Sequence, residues 1–450
     1  MNDKTKFNIK SVCEILDVWI PLKIQYSNVP GVNICIAHNG NPIYLKSFGY
    51  QNLKKKIELN KNSLFRIASH SKMFTSVGIM QLQEKGKLKI DDKVNKYLDW
   101  VKGENKVSNN KNITIRQLMS HQSGMFRDGK THHWSNHKFP NNLKNTISEE
   151  SIIFENGSTF KYSNHAYALL GAIIEKVSNQ KYDDYMYESI INPLNLSSTY
   201  PDLPDEVPDD LGFGYERVIP GKLNREIFDH SKTYAYASAT GFISNSADIA
   251  KFLSSLCLDT EYSVINRESK KEMIKSHGFT DRKNGKIGYG LGVDIETIDN
   301  DIIVGHGGGY PGFITRSRTS INDNLQVIVF TNTNSILASE LNDSIFEIIY
   351  NTKSNLFEGA NLKKDYNGIY RSRWGDMAIV SIGSKLVSFS AESKNPLYDW
   401  SILNKFNIDT FVNTDKLGYG SPGEKLTFNK SSDQKIESVT TSSGIMNKIK

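Results

Sequence analysis

The sequence predicts an α/β protein: a mostly antiparallel sheet flanked by helices, with a helical subdomain, followed by a small all-β, barrel-like domain. Three observations predict it. β-rich runs lie at 31–50 and again from 300, apolar residues recur at helical spacing between about 90 and 260, and from 362 onward the chain turns to short alternating runs broken by Gly, Ser and Asn. An early hairpin, a helical middle and late strands fit one mixed sheet with a helical insertion.

In chain order, residues 1–23, MNDKTKFNIKSVCEILDVWIPLK, carry early lysines, but Glu14 and Asp17 interrupt the apolar core that a signal peptide needs. The expectation is a cytoplasmic protein, or an exported one whose leader has been removed. No run approaches the roughly 18 apolar residues of a membrane span, so none is expected. In GVNICIAHNGNPIYLKSFGY, two β-rich runs flank Asn39-Gly40, a dipeptide suited to a tight hairpin turn. FRIASHSKMFTSVGIMQLQEKGKL then places Met73, Val77, Met80 and Leu82 at near-helical spacing and ends in Lys-Gly, so Ser69 falls at a helix start. YALLGAIIEKVSNQKYDDYMYESIINPL and SADIAKFLSSL continue the helical pattern. The runs in DIIVGHGGGYPGFITRSRTSINDNLQVIVFTN are strands separated by Gly, Pro and Asn-Asp turns, and SILASELNDSIFEIIY is an amphipathic segment. MAIVSIG, KLVSFSA and DTFVNT mark the final β module.

Composition narrows the function. The 450 residues are 38 % apolar and 10 % aromatic, as in a soluble globular protein. Lys and Arg outnumber Asp and Glu by 55 to 49, but the charges are interleaved along the chain, so no nucleic-acid groove is expected. Cys13, Cys35 and Cys257 are far apart with no CxxC spacing, which reads as thiols in a reducing compartment. Nothing in the sequence sets the oligomeric state.

A Ser and a Lys at i and i+3 of a helix share a face, so the amine reaches the hydroxyl. The spacing alone is common, recurring at Ser108, Ser135, Ser158, Ser178 and Ser432. Ser69, with Lys72, stands apart because it follows a hairpin and opens a helix, where unpaired N–H groups and the helix dipole favour developing negative charge. A nucleophilic serine also needs a base and an oxyanion site. FKYSNHAY supplies Tyr162 and Asn164, and GHGGGYPGF sets His306 beside three glycines ahead of a strand, where a substrate can approach the backbone. Each residue alone has a plainer reading: Ser69 as a helix-terminal hydroxyl, Tyr162 as a half-buried aromatic, Asn164 as a cap, His306 as a turn histidine. His132, His133 and His137 lack a further ligand at convincing spacing, so no metal is expected. They lie in a loop expected to border a cleft and to expose Trp134 to substrate.

Taken together, these stretches resemble the serine β-lactamase and penicillin-binding protein superfamily, specifically the class C β-lactamase-like esterases and D-amino-acid peptidases. The three signatures are Ser69-His70-Ser71-Lys72, Tyr162-Ser163-Asn164 and His306-Gly307-Gly308. Similarity also runs through VPGVNICIAHNG, KLKIDDKVNKYL, TIRQLMSHQSGMF, GFISNSADIAKFL and YGLGV, over roughly residues 10–350, and the tail resembles an appended lipocalin-like module. The resemblance implies a β-lactamase/transpeptidase-like fold, a hydrolase domain at 1–355 with its helical subdomain at about 90–260, and a β domain at 362–450. It implies catalysis by Ser69, Lys72 and Tyr162. Ser69 becomes acylated, and Lys72 and Tyr162 share the proton work as a coupled pair. Asn164, His306, Gly308 and Gly309 contact substrate or the oxyanion, with the N–H groups of Ser69 and Gly309 forming the hole. Neither cofactor nor metal is implied, and the partner is a small-molecule or short-peptide acyl substrate.

Efficient β-lactamases of this superfamily usually carry Lys and a hydroxyl residue in the third signature, where this chain has His306 and Gly307. That favours ester or amide hydrolysis. The alternatives are a D-stereospecific aminopeptidase or DD-carboxypeptidase and, from another class, an inactive binding or scaffold protein. His70 inside the first signature has no assigned role.

Overall fold

The computed structural model describes residues 3–101, 113–129, 132–144, 146, 152–219, 221, 224–280, 285–298, 300–351, 357, 361–415 and 421–449, with side chains from residue 9. The chain forms two compact units, Val29–Ser339 and Met1–Asn28 with Glu340–Lys450.

The first unit is built on a nine-stranded antiparallel sheet. Its spatial order is Ile57–Glu58, Asn41–Asn52, Gly31–His38, Leu325–Thr331, Phe313–Ser320, Asp301–Tyr310, Asp294–Ile298, Gly288–Tyr289 and Gly278–Phe279. The expected hairpin forms across Asn39-Gly40, and its first strand pairs with Leu325–Thr331, Val32 opposite Thr331 and Ala37 opposite Gln326. Every residue of Leu325–Thr331 is buried, which explains a near-continuous apolar run where a one-sided strand would alternate. The helix Ser246–Ser255 lies on these two central strands.

The segment between the strand groups is less regular than its apolar spacing suggests. Among its described residues only Asn164–Ser178 and Ser246–Ser255 make helices of ten residues or more between 90 and 260. The helix Ser71–Glu84 packs against Asn164–Ser178 and is buried from Ser71 to Leu82. Phe74 stacks between Phe242 and Phe252, with ring centroids at 4.4 and 3.8 Å. A helix buried on all sides needs apolar or internally bonded residues around its whole circumference.

In the second unit, the helix Asp3–Ser27 packs on the strand Gly375–Ile382. Val12, Ile15, Leu16, Trp19 and Ile20, at i, i+3, i+4, i+7 and i+8, are fully buried, and Trp19 Nε1 donates to Ser393 O at 3.1 Å. Residues 1–28 therefore belong to the same unit as the C-terminal strands. The expected domain limit at 355 lies outside the described residues. The strands from Gly368–Ser372 to Gly444–Lys448 form a closed eight-stranded barrel, each paired with the next and the last with the first. Tyr366, Tyr370, Phe411 and Phe428 fill one end. The other end opens into a cavity of about 1140 Å³ lined by Ser372, Ser388, Ser401, Leu403, Asn413 and Met446, among others.

No helix among the described residues is long and apolar enough to cross a membrane.

Candidate active site

Ser69 lies in a single 3-10 turn, Ala68–His70, that runs straight into the helix Ser71–Glu84. Ala68 takes φ +48°, a left-handed conformation that costs a residue with a Cβ about 1–2 kcal/mol. The surroundings hold it there. Ser71 Oγ donates to Ala68 O at 2.5 Å, Phe242 N donates to Ser71 Oγ at 3.0 Å, and the strand Phe65–Arg66 pairs with Ile243–Ser244. His70, left without a role by its sequence, ties the turn to the sheet: its Nδ1 lies 3.0 Å from Ile67 O and its Nε2 2.9 Å from Ser317 Oγ. Burial pushes its imidazole down to about 3, so it serves there uncharged.

One helical turn on, Lys72 Nζ lies 3.2 Å from Ser69 Oγ and 2.7 Å from both Asn164 Oδ1 and Ala239 O. The side chain is fully buried. Burial drives its pKa well below the ordinary lysine value, with Asp128 opposing and Arg127 adding to the drop. Ala239 belongs to a wide helical turn, Ala237–Gly241, of the i to i+5 kind that recurs at functional sites. The buried Arg66 guanidinium donates to Gly241 O at 3.2 Å and fixes that turn.

Tyr162 OH donates to Ser69 Oγ at 2.8 Å. Its ring rests on His121, centroid to centroid 4.2 Å, and Lys72 Nζ stands 4.8 Å from its centre. His121 is a support: buried and held uncharged by burial, it accepts from Ser163 N at 3.1 Å. The helix Asn164–Ser178 is capped by Ser163, whose Oγ accepts from Ala166 N at 3.0 Å. Capping is thus done by the residue before Asn164, and the Asn164 amide is left to bond Lys72 on one side and Asp128 on the other.

The strand Asp301–Tyr310 brings the third signature. Its outer partner ends where Asp294 meets Gly305, so 306–310 form an edge, and this edge runs along the Ser69 turn. A Cβ at Gly308 would stand 2.2 Å from Ile67 O and 2.3 Å from Thr315 Oγ1, closer than any side chain allows. Gly309 is exposed. His306 is buried, with Nε2 3.0 Å from Tyr289 OH and Nδ1 2.6 Å from Gly307 O.

Ser69, Lys72, Tyr162 and Asn164 therefore form one hydrogen-bonded cluster, while Gly308 adjoins it through the backbone and His306 is anchored by Tyr289. Three further groups have no sequence signature of their own: the Ala239 carbonyl, Tyr289 in YGLGV, and Asp128 in MFRDG. Trp134, expected to be exposed, is half-buried and donates Nε1 to Asp128 Oδ1 at 2.8 Å.

Comparison with known proteins gives the family and the fold. The Beta-lactamase family model matches residues 23–349. Penicillin-binding protein 4* of Bacillus subtilis (strain 168) is 30 % identical over 329 residues, covering 66 % of this chain and 67 % of its own length. Protein flp of Staphylococcus aureus (strain NCTC 8325 / PS 47) is 30 % identical over 186 residues, so the match takes in 41 % of this chain and only 37 % of that relative. Among solved structures, the octameric penicillin-binding protein homologue from Pyrococcus abyssi superposes with a TM-score of 0.66 at 21 % identity, over 96 % of this chain and 99 % of that one. The D-amino acid amidase from Ochrobactrum anthropi SV3 superposes with 0.63 at 20 % identity, over 76 % and 99 %. At such identities these structures speak for the fold alone. The family match and the Bacillus subtilis relative place the chain in the beta-lactamase family of serine hydrolases.

Proposed function

We propose that the protein hydrolyses an ester or amide bond through an acyl-enzyme on Ser69. The observation that carries this reading is the pair of bonds at Ser69 Oγ, with Tyr162 OH at 2.8 Å and the buried Lys72 Nζ at 3.2 Å. A neutral amine has two N–H groups and one lone pair. Asn164 Oδ1 and Ala239 O take the two hydrogens, and the lone pair faces the Ser69 hydroxyl. Ser69 Oγ then accepts from Tyr162 and donates to Lys72. As Oγ bonds to the substrate carbonyl carbon, its proton passes to Lys72 and the oxyanion meets the N–H groups of Ser69 and Gly309. The adduct collapses with the proton returned, by way of the Tyr162 hydroxyl, to the leaving atom. Water repeats the sequence on the acyl-enzyme and frees Ser69.

His306, held by Tyr289, lines the substrate side of this edge. It offers no permanent charge to a substrate carboxylate, which favours simple esters and amides over β-lactams. The hydrolase chemistry belongs to the unit Val29–Ser339. The lipocalin-like module expected at 362–450 tunes which substrates are accepted. An intracellular, reducing setting fits the buried thiols of Cys35 and Cys257, both pushed up to about 12 by burial.

Intact-mass spectrometry after brief exposure to p-nitrophenyl acetate, with released nitrophenol followed in the same sample, tests the reading. Wild type should gain one acetyl group and continue to release nitrophenol. Ser69→Ala should gain none, and Lys72→Ala should acylate at least about 1000-fold more slowly, as expected when a general base is lost. Wild-type turnover by Ser69→Ala would refute the assignment. Esters and D-amino-acid amides compared on the active protein would then separate an esterase from a D-stereospecific peptidase.

A further inference from the structure

We propose that Asp128 is a positioning residue for acylation, setting the Asn164 amide toward Lys72 and supplying the negative charge that balances the Lys72 ammonium; this rests on Lys72 taking the Ser69 proton.

An asparagine amide is two-ended, and its orientation decides whether Lys72 meets an acceptor or a donor. Asn164 Nδ2 donates to Asp128 Oδ1 at 2.5 Å, and Asn164 Oδ1 accepts from Lys72 Nζ at 2.7 Å. An ionised carboxylate only accepts. Turning the amide over would set Asn164 Oδ1 against the carboxylate and Nδ2 against Lys72, losing both bonds at once. With Asp128 in place only one orientation is stable, and it is the one that leaves the Lys72 lone pair for Ser69.

Asp128 is itself fixed. Besides Trp134 Nε1 at 2.8 Å, Arg127 Nε lies 3.3 Å from Oδ2 and His133 Nε2 lies 3.8 Å from Oδ1. Burial works against its charge, but the nearby His133, the hydrogen bonds from Asn164 and Trp134 and the Arg127 guanidinium prevail and hold the carboxyl well below the usual range. The backbone joins the two segments as well: Asn164 N donates to Arg127 O at 2.7 Å, and Ser163 Oγ donates to Phe126 O at 2.5 Å. Gly129 follows at φ +72°, where a Cβ would stand 2.7 Å from the His165 ring. That close approach lets the loop turn directly after Asp128.

The charge has its own consequence. The groups facing Lys72 are Ser69 on its own turn, Tyr162, Asn164 and Tyr167 from the neighbouring helix and its approach, Ala239 O, and the loop residues Arg127 and Asp128, with neutral His121 behind Tyr162. Asp128 is the acidic group among them. When Lys72 takes the Ser69 proton, it becomes a buried cation, and the nearby carboxylate lowers the energy of that state.

Two substitutions separate the roles. Asp128→Asn keeps an oxygen for Asn164 Nδ2 and Trp134 Nε1 but removes the charge, whereas Asp128→Ala removes both. Each is tested by stopped-flow acylation with p-nitrophenyl acetate, which bears no charged group for Asp128 to bind, over a range of pH. Asp128→Asn should acylate about 10-fold more slowly, with the low-pH limb of the rate moved to lower pH because the Lys72 ammonium has lost its neighbour. Asp128→Ala should lose about 100-fold. In both, the loss should fall on the acylation rate constant and not on KM. Equal losses in the two variants with an unmoved limb, or a loss confined to KM, would overturn the proposal. Lys72→Ala runs alongside as a control. If it acylates like wild type, the assignment of Lys72 fails and the proposal falls with it. If it is inactive while Asp128→Asn matches wild type in rate and pH limb, the Asp128 proposal alone is wrong.

Discussion

In the barrel every strand pairs with its neighbour in sequence, so Gly375–Ile382 lies between Gly368–Ser372 and Lys385–Ser390 and the pattern continues around the ring. In the nine-stranded sheet, Gly31–His38 pairs with Leu325–Thr331, from the far end of the same unit. The contrast reaches into what each unit buries. The closed end of the barrel is held by aromatic rings, with Tyr366 and Phe411 at 5.1 Å and Tyr366 and Phe428 at 4.8 Å. The hydrolase unit buries Arg66, His70, Lys72, His121 and His165, each tied into hydrogen bonds. Local pairing makes a scaffold whose buried polar strand residues, Ser381, Ser388, Thr410 and Asn413, carry no charge. Closure over long sequence distance brings five separated segments to one point, and that point is where buried ionisable groups and a left-handed alanine are tolerated.

Among changes outside the hydrogen-bonded cluster itself, the largest effect should come from the glycine that lies against the serine turn. Gly308→Ala puts a methyl against the Ile67 carbonyl, a backbone atom that cannot yield without moving Ala68 and Ser69. Acylation by p-nitrophenyl acetate should fall about 100-fold or more. Hydrogen exchange in Lys425–Lys430 and Ile436–Thr441 of the barrel should stay as in wild type. Full activity in Gly308→Ala would mean that the strand edge and the serine turn are not held together as closely as the contact demands.

The same contrast governs what was legible in the sequence. The hairpin around Asn39-Gly40 and the barrel strands announce themselves, because period-two alternation and turn residues are local signals. The helix after Ser69 is equally plain. Ser69, Lys72, Tyr162 and Asn164 are recognisable as signatures, yet nothing in their spacing shows that Asn164 spends its amide on Lys72 and Asp128 and leaves capping to Ser163. Asp128 escaped because its partner is 36 residues away and a lone carboxylate in a loop carries no period. Ala239 contributes a backbone carbonyl, which has no side-chain signature at all. The face Val12, Ile15, Leu16, Trp19 and Ile20 is readable as amphipathic, but the pattern says only that something covers it, not that this is a strand some 360 residues later.

Histidine placement offers a sharper way to separate the units. All ten histidines fall between His38 and His306, and none lies in Met1–Asn28 or Glu340–Lys450. Burial holds His70 down to about 3, and it also lowers His121, His165, His230 and His277. An unfolded histidine titrates near 6.5. Below that pH the unfolded chain binds protons that the folded unit refuses, so stability is lost as pH falls from about 6.5 toward the lowered folded values. Pulse proteolysis in urea at pH 7.5 and 5.0, with fragments identified by mass, should show the hydrolase unit cleaved at markedly lower urea in acid and the barrel shifting much less. His70→Asn should flatten the acid slope. An unchanged slope would show that His70 is not held neutral against a real cost.

The smallest effect is expected in the barrel. Tyr366 OH donates to Ile408 O at 2.8 Å and to Asp409 Oδ1 at 3.0 Å, joining the segment before the first barrel strand to the turn between Ser401–Lys405 and Thr410–Asn413. Tyr366→Phe keeps the ring against Phe411 and Phe428 and removes only the hydroxyl, which should cost about 1 kcal/mol of barrel stability. Exchange in Lys425–Lys430 should speed up accordingly, while the acylation rate with p-nitrophenyl acetate stays within about twofold of wild type. A larger fall in acylation would break the comparison at its root, because a conservative change in the locally paired unit would then be felt at a serine that the other unit assembles.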